Sequence, residues 1–111
     1  MSGDDSFQLY DLCVVVEAIE GHCTCAMRVG DSLTLRGGKL SMPDGQEFCL
    51  YALQAAILLP PARQRRAHPA DWIESDTRVN CPDPTCRLIM RLDRVAIRTL
   101  RYDDVSPIPW E

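Results

Sequence analysis

The apolar positions of this chain recur mostly with the two-residue period of a β-strand. The first such segment, Tyr10 to Ile19, has a β-branched centre and apolar residues on both faces. This pattern predicts a central strand, or one covered on both sides. Gly37-Gly38 then separates two short segments, 32–36 and 39–42, and predicts a hairpin with a two-residue turn.

The clearest alternation lies near the C-terminus, where Leu88, Met90 and Leu92 share one face of a predicted last strand. The next apolar residue of this series is Val95, three positions on rather than two. A change of parity moves the apolar side chains to the other face, so we expect a β-bulge or a strand break near Asp93-Arg94.

One segment has the signature of a helix. Asp44 and Glu47 have the spacing of a capping box, the residues that follow are apolar except Gln54, and Pro60-Pro61 ends the run. A helix that is apolar nearly all round is buried on more than one side. The sequence therefore predicts an α+β fold, in which a small, mainly antiparallel sheet packs against one principal buried helix at about 44–59.

The ends of the chain differ from its centre. Residues 1–9 are predicted to be a flexible N-terminus, and residues 103–111, with two prolines, an extended C-terminal tail. The 93 residues between them, 10–102, suit a single domain.

Composition and charge exclude several classes of function. The chain has 111 residues and a net charge of −4, whereas nucleic-acid-binding domains present a strongly basic face, so we expect no nucleic-acid partner. It shows no secretory signal and no apolar run of membrane-spanning length, which predicts a cytoplasmic protein without a membrane partner. Thiols are normally reduced in the cytoplasm, so its six cysteines call for a reason other than disulfides.

The cysteine spacings suggest a metal site. Two short-spaced pairs are present, C-x-C and C-x4-C, and zinc sites are commonly built from two such pairs of Cys or His ligands, although usually as C-x2-C. Zinc, iron or an iron–sulfur cluster would suit these donors. The alternative is that the cysteines are small buried core residues. The candidate metal ligands are His22, Cys23, Cys25, Cys49 and Cys81.

Cys49 is also a candidate nucleophile. It lies in the first turn of the predicted helix, where the helix dipole lowers the pKa of a thiol. The carboxylate of Glu47 opposes this effect, and the apolar neighbours of Cys49 suggest burial. No nucleotide-binding loop, zinc-protease motif or hydrolase nucleophile elbow is present, so the sequence leaves open whether the protein is an enzyme.

The order of these features resembles a family of small prokaryotic proteins of about this length that has no assigned activity. The resemblance implies that Cys49, Cys81 and one of Cys23 and Cys25 are the positions of interest, and that Cys13 and Cys86 are incidental. It rests on a leading strand, a cysteine before a Gly-Asp turn, a Phe-Cys pair, a Cys-x-Asp turn and a closing strand, here at Tyr10–Glu17, Cys23 or Cys25 before Gly30-Asp31, Phe48-Cys49, Cys81-Pro82-Asp83 and Leu88–Arg94.

Three functions are compatible with these observations. The first is a small accessory or binding protein that holds a metal through cysteines and acts as a homo-oligomer or with a larger protein partner. The second is a small subunit of a multi-subunit decarboxylase or oxidoreductase, docked through its tail with Trp110 as an anchor. The third is a stand-alone thiol-dependent enzyme that uses Cys49 or Cys81 with His22 as its base.

Overall fold

The computed structural model describes residues 4–75 and 77–110. Five antiparallel strands form a single sheet, which confirms the predicted α+β fold. The strands are β1 (Ser6–Ile19), β2 (Ser32–Arg36), β3 (Lys39–Ser41), β4 (Arg78–Asn80) and β5 (Leu88–Arg101), and the helices are α1 (Leu50–Ala56), α2 (Pro60–Arg63) and α3 (Tyr102–Val105), with a short 3₁₀ helix at Trp72–Glu74. Across the sheet the strands follow the order β3-β2-β1-β5-β4, so β1 is central, as predicted.

A long ribbon of β1 and β5 forms the backbone of the fold. The two strands pair along their whole length, from Ser6 opposite Arg101 to Ile19 opposite Leu88. The register shifts where Asp11 pairs with Ala96 and Leu12 pairs with Arg94, which leaves Val95 as an extra residue in β5. This is the predicted bulge, one residue beyond the predicted position.

The hydrophobic core lies on one face of the sheet. Val14 pairs with both Leu33 and Leu92 in neighbouring strands, and Val16 pairs with Met90, so these side chains form a continuous buried layer. Ala52 and Ala56 of α1, both fully buried, cover this layer. Small side chains at these two positions let the helix approach the sheet closely.

The ion pairs of the sheet are mostly made by arginines. On the face opposite the core, Glu17 pairs with Arg78 at 2.8 Å. Near the ribbon bulge, Arg94 donates to Glu74 at 2.6 Å and lies 4.2 Å from the centre of the Tyr10 ring. The hydrogen bond from Arg94, followed by one from a backbone amide, lowers the pKa of Glu74 to about 2.

The principal helix is shorter than predicted. It begins at Leu50 with Cys49 as its N-cap and ends at Ala56, inside the predicted range 44–59. Asp44 does not cap a helix, because Gly45 has a positive φ of 78° and the Gln46 amide both donates to and accepts from the backbone of Ser32. Burial is also less complete than predicted, since only one face of α1 meets the sheet.

Within the described residues, both predicted terminal segments contain regular structure. β1 begins at Ser6, inside the predicted flexible segment 1–9, of which residues 1–3 lie outside the described part of the chain. The predicted extended tail contains α3, and the ring of Trp110 stacks on that of Tyr102 with their centres 6.0 Å apart. Within residues 4–75 and 77–110, no helix is long and apolar enough to cross a membrane.

Candidate functional site

The sheet topology brings three cysteine-bearing segments to one end of the molecule. Because the strands are antiparallel, the end of β1 lies beside the start of β5, and β4 ends at the same edge, with Asn80 opposite Ile89. The loop after β1 carries Cys23 and Cys25, and the loop between β4 and β5 carries Cys81 and Cys86. Helix α1 begins at this edge with Cys49.

These residues line a single pocket of about 210 Å³, which we call the thiol pocket. Five of its eight lining residues are cysteines. Three of them are buried, one is half-buried and Cys25 is exposed at the mouth. The lining residues are Cys23, Thr24, Cys25, Cys49, Tyr51, Cys81, Asp83 and Cys86.

The thiols of Cys25 and Cys49 affect each other's ionisation. The interaction with Cys49 and, less, burial raise the pKa of Cys25 to about 11. Burial opposes ionisation of Cys49, but the interaction with Cys25 and hydrogen bonds from the backbone N–H groups of Ala52 and Tyr51 lower its pKa overall. The first turn of α1 therefore favours a thiolate on Cys49.

A second pair joins the two cysteine loops. Burial, and then the interaction with the Cys23 thiol, raise the pKa of Cys86 to about 12. The backbone N–H of Met27 also donates to Cys23 Sγ at 3.4 Å. Met27 in turn accepts the backbone N–H of Cys49 on its Sδ at 3.3 Å, so a sulfur-rich network links the loop after β1 to the helix.

Gly21 holds the two cysteine loops against each other. Its neighbours donate backbone hydrogen bonds across the gap, from Glu20 to the Arg87 carbonyl at 3.1 Å and from His22 to the Thr85 carbonyl at 2.9 Å. A Cβ atom at Gly21 would lie 2.0 Å from the Thr85 carbonyl oxygen. Only glycine permits this close backbone approach.

Two residues beside the pocket have a strained backbone. Ala26 follows Cys25 with a φ of 58°, and Arg87 follows Cys86 with a φ of 47°. Within the described ranges, these are the non-glycine residues with a positive φ. Such a conformation is uncommon for these residue types and concentrates at functional sites. The chain thus reverses sharply after a pocket cysteine in both loops, which supports a functional role for the pocket.

A larger pocket of about 640 Å³ adjoins the thiol pocket. Cys25 and Cys49 line both, so these two residues form the wall between them. The larger pocket is also lined by Arg28, Gln46 and Phe48. Of these two cysteines, Cys25 is exposed to solvent and Cys49 is buried.

Four of the five candidate metal ligands lie together in the thiol pocket, and one further cysteine joins them. Cys23, Cys25, Cys49 and Cys81 line the thiol pocket, whereas His22 is exposed and outside its lining. Cys86, expected to be incidental, also lines the pocket. The C-x4-C spacing was the available signal for Cys86, because a short loop that follows an edge strand brings both of its cysteines to one place.

Cys13 lies apart from the other cysteines. It is in the middle of β1, opposite Thr34 and Asp93 of the neighbouring strands, and does not line the thiol pocket. It is half-buried. Cys13 therefore provides an internal control for experiments on the other five thiols.

The thiol pocket is not a preformed metal site. In the described part of the chain, no set of three or more His, Cys, Asp or Glu side chains is already arranged to hold a metal ion. The arrangement can bind a thiophilic ion or carry out thiol chemistry, and both require loss of thiol protons.

Comparison with known proteins does not add to this picture. No family model matches the chain. No curated protein and no solved structure is similar enough to count as a match.

Proposed function

We propose that this protein is a small, non-catalytic binding protein that holds a thiophilic metal ion, zinc or iron, on cysteine thiolates of the thiol pocket. The observation that carries the proposal is the meeting of five cysteines from three separate segments in a pocket of about 210 Å³. Five sulfur donors at one place are enough for the four-coordinate site that zinc requires.

The proposed ligands are Cys23, Cys25, Cys49 and Cys81. Four thiolates satisfy the tetrahedral coordination of zinc, in which sulfur lies about 2.3 Å from the metal. Cys86 has a different role in this proposal. It is the most deeply buried of the five at 3% exposure and its thiol interacts with that of Cys23, so in this proposal it supports a ligand from behind.

Backbone hydrogen bonds to sulfur support a metal site over a set of core cysteines. Cys49 accepts N–H groups from the first turn of α1, and Cys23 accepts the N–H of Met27. Such bonds stabilise the negative charge that a thiolate keeps when it binds a metal. A core thiol has no charge to stabilise, and these N–H groups would gain more from oxygen acceptors.

An ion would replace the protons of the thiols that ligate it. The donor set consists of sulfur, which favours zinc, iron or another soft ion over magnesium or calcium. Because each thiol must lose its proton, apparent affinity should rise with pH. The expected ion is divalent, and four thiolates would leave the site with a net charge of about −2.

Metal analysis of single variants tests the proposal. Protein purified under a reductant should contain close to one zinc or iron ion per chain, and added Co²⁺ should give the absorption of tetrahedral thiolate cobalt. Cys49→Ser and Cys81→Ser should lose the ion, and Cys86→Ala should retain it with an affinity lower by about 10–100-fold, as expected for a residue that supports a ligand. Cys13→Ser is the matched control and should bind normally.

Two outcomes would contradict the proposal. One is protein that takes up neither zinc, iron nor cobalt under reducing conditions. The other is equal loss of metal in Cys13→Ser and Cys81→Ser, because Cys13 lies outside the pocket and such a result would point to adventitious binding.

Thiol chemistry at Cys49 is the second candidate function. It is favoured by the lowered pKa of Cys49 and by the position of this residue in the lining of both pockets. His22 as the base has less support, because it lies outside the lining of the thiol pocket. Alkylation with iodoacetamide across pH decides this candidate: Cys49 must react faster than a free model thiol near neutral pH, and a rate equal to the model would eliminate it.

We further propose that the protein acts as a homo-oligomer or in complex with a larger protein partner. The outer face of α1 supports this part, because it presents large apolar side chains to solvent. The tail offers weaker support, since Trp110 stacks on Tyr102 of its own chain. A role as a small enzyme subunit docked by Trp110 would require this stacking to open.

A further inference from the structure

Cys25 and Cys49 share the boundary between the thiol pocket and the larger pocket. Both residues line the two pockets, and no other residue in the described part of the chain belongs to both linings. They come from different segments, since Cys25 lies in the loop after β1 and Cys49 is the N-cap of α1. The fold therefore places two thiols that are 24 positions apart in the sequence on one short stretch of pocket wall.

Contacts beside these cysteines hold the two segments together. The backbone N–H of Cys49 donates to Met27 Sδ at 3.3 Å, and Met27 is two residues from Cys25. The interaction with Cys49 is also the largest influence on the pKa of Cys25, which it raises, in agreement with two neighbouring thiols. A disulfide forms only between cysteines on segments that already lie close together, and these two segments do.

The two cysteines differ in exposure. All six cysteines lie in the described ranges, and of these Cys25 is exposed, whereas Cys49 is 8% exposed. Cys23, in the same loop as Cys25, is half-buried and accepts the backbone N–H of Met27 on its Sγ at 3.4 Å. A reagent from solution therefore meets Cys25 first, and Cys49 reacts from inside with what Cys25 carries.

We propose that Cys25 and Cys49 form a reversible disulfide when the protein meets a low-molecular-mass disulfide, and that this bond releases the metal ion. The release rests on the proposed function, because Cys25 and Cys49 are two of the four proposed ligands. Formation of the disulfide needs only the two neighbouring thiols and does not rest on metal binding.

The reaction consists of two thiol–disulfide exchanges. Cys25, as a thiolate, attacks one sulfur of the small disulfide, whose S–S bond breaks, so that a mixed disulfide forms on Cys25 and one small thiolate leaves. Cys49, as a thiolate, then attacks Cys25 Sγ, forms the internal disulfide and expels the second small thiolate. The two protein thiols lose two electrons and two protons, and the small disulfide becomes two small thiols.

Oxidation would remove half of the proposed metal site. Metal ligation by cysteine requires the thiolate, and a sulfur in a disulfide carries no such charge. Of the four proposed ligands, Cys23 and Cys81 would remain, whereas zinc in a structural site takes four. Retention of the ion thereby depends on the redox state of the small thiols in solution.

Incubation of reduced, metal-free protein with oxidised glutathione, followed by non-reducing peptide mapping, tests the disulfide. The expected product is a bond between Cys25 and Cys49, with the remaining cysteines as free thiols. In Cys49→Ser the reaction should stop after the first exchange, with one glutathione on Cys25. Cys25→Ser should give neither product and keep its fold, because Cys25 is exposed, and circular dichroism checks this. Cys13→Ser is the matched control and should form the disulfide as wild type does.

Zinc-loaded protein treated in the same way, with a chromophoric chelator present, tests the release. One zinc ion should leave for each disulfide formed, and dithiothreitol should restore binding once the chelator is removed. Six free thiols after incubation, or a disulfide between another pair of cysteines, would overturn the proposal, and zinc that stays bound after the disulfide has formed would overturn the release. Protein that forms the disulfide between Cys25 and Cys49 but never binds zinc, iron or cobalt would contradict the proposed function, and the release with it, while confirming the disulfide.

Discussion

Replacement of Gly21 by alanine should separate the two loops that form most of the thiol pocket. The added Cβ would lie 2.0 Å from the Thr85 carbonyl oxygen and 2.7 Å from that of Cys86. Ordinary C···O contacts begin at about 3.3 Å, so the backbone must retreat by roughly 1.3 Å. Both obstructing atoms belong to the main chain, and neither can rotate away as a side chain would.

The expected cost combines overpacking with a weakened hydrogen bond. Forcing extra volume into a close contact costs about 1–3 kcal/mol, and a backbone hydrogen bond contributes about 1 kcal/mol. The bond at risk is the one from His22 to Thr85, which is 2.9 Å long and adjoins Gly21. We therefore expect the free energy of unfolding of Gly21→Ala to fall by about 2–4 kcal/mol, and Tm to fall by roughly 10–20 °C.

Urea denaturation followed by circular dichroism measures this change, and zinc affinity on the same variant measures its effect on the pocket. Gly38→Ala is the matched control, since an added Cβ there meets nothing within 4 Å. A free energy of unfolding within about 0.5 kcal/mol of wild type would show that the loops separate freely, and would refute the role assigned to Gly21.

Two further predictions concern the sheet. Because the pKa of Glu74 is lowered, its pairing with Arg94 stabilises the folded state at pH values above 4.5, the ordinary pKa of a glutamate, and this contribution is lost as the pH falls toward 2. Urea midpoints measured between these pH values should therefore fall less in Glu74→Gln than in wild type. Parallel curves for the two proteins would contradict this prediction. Met90→Ala should lower the free energy of unfolding by about 2–5 kcal/mol, because Met90 is fully buried where β4, β5 and β1 meet. Chemical denaturation measures this free energy. A loss below about 1 kcal/mol would contradict the prediction and mean that the site collapses around the smaller side chain.

The strands were predictable because their two-residue pattern is local. The hairpin turn at Gly37-Gly38, the central position of β1 and the bulge at Val95 all follow from the order of apolar residues. The helix start was not predictable in the same way. Asp44 and Glu47 have the spacing of a capping box, but Gln46 binds the backbone of β2, fourteen residues earlier, and this tertiary contact outweighs the local signal.

The candidate site could be predicted only in part. The cysteines were visible as donors, but their meeting depends on strand register, which the sequence does not show directly. His22 was included because it adjoins Cys23 in sequence, yet it is exposed and outside the pocket lining. Cys86 was set aside because it lay outside the resemblance, whereas the pairing of Ile19 with Leu88 brings it beside the loop after β1.

The pairing of β1 with β5 has a consequence for the newly made chain. The first strand finds its long partner only when the segment Leu88–Arg101 has left the ribosome. Contacts so distant in sequence form slowly, because a large loop must close first. Until then the thiols of Cys23, Cys25 and Cys49 remain in solvent, so the nascent protein depends on a reducing environment more than the finished one does.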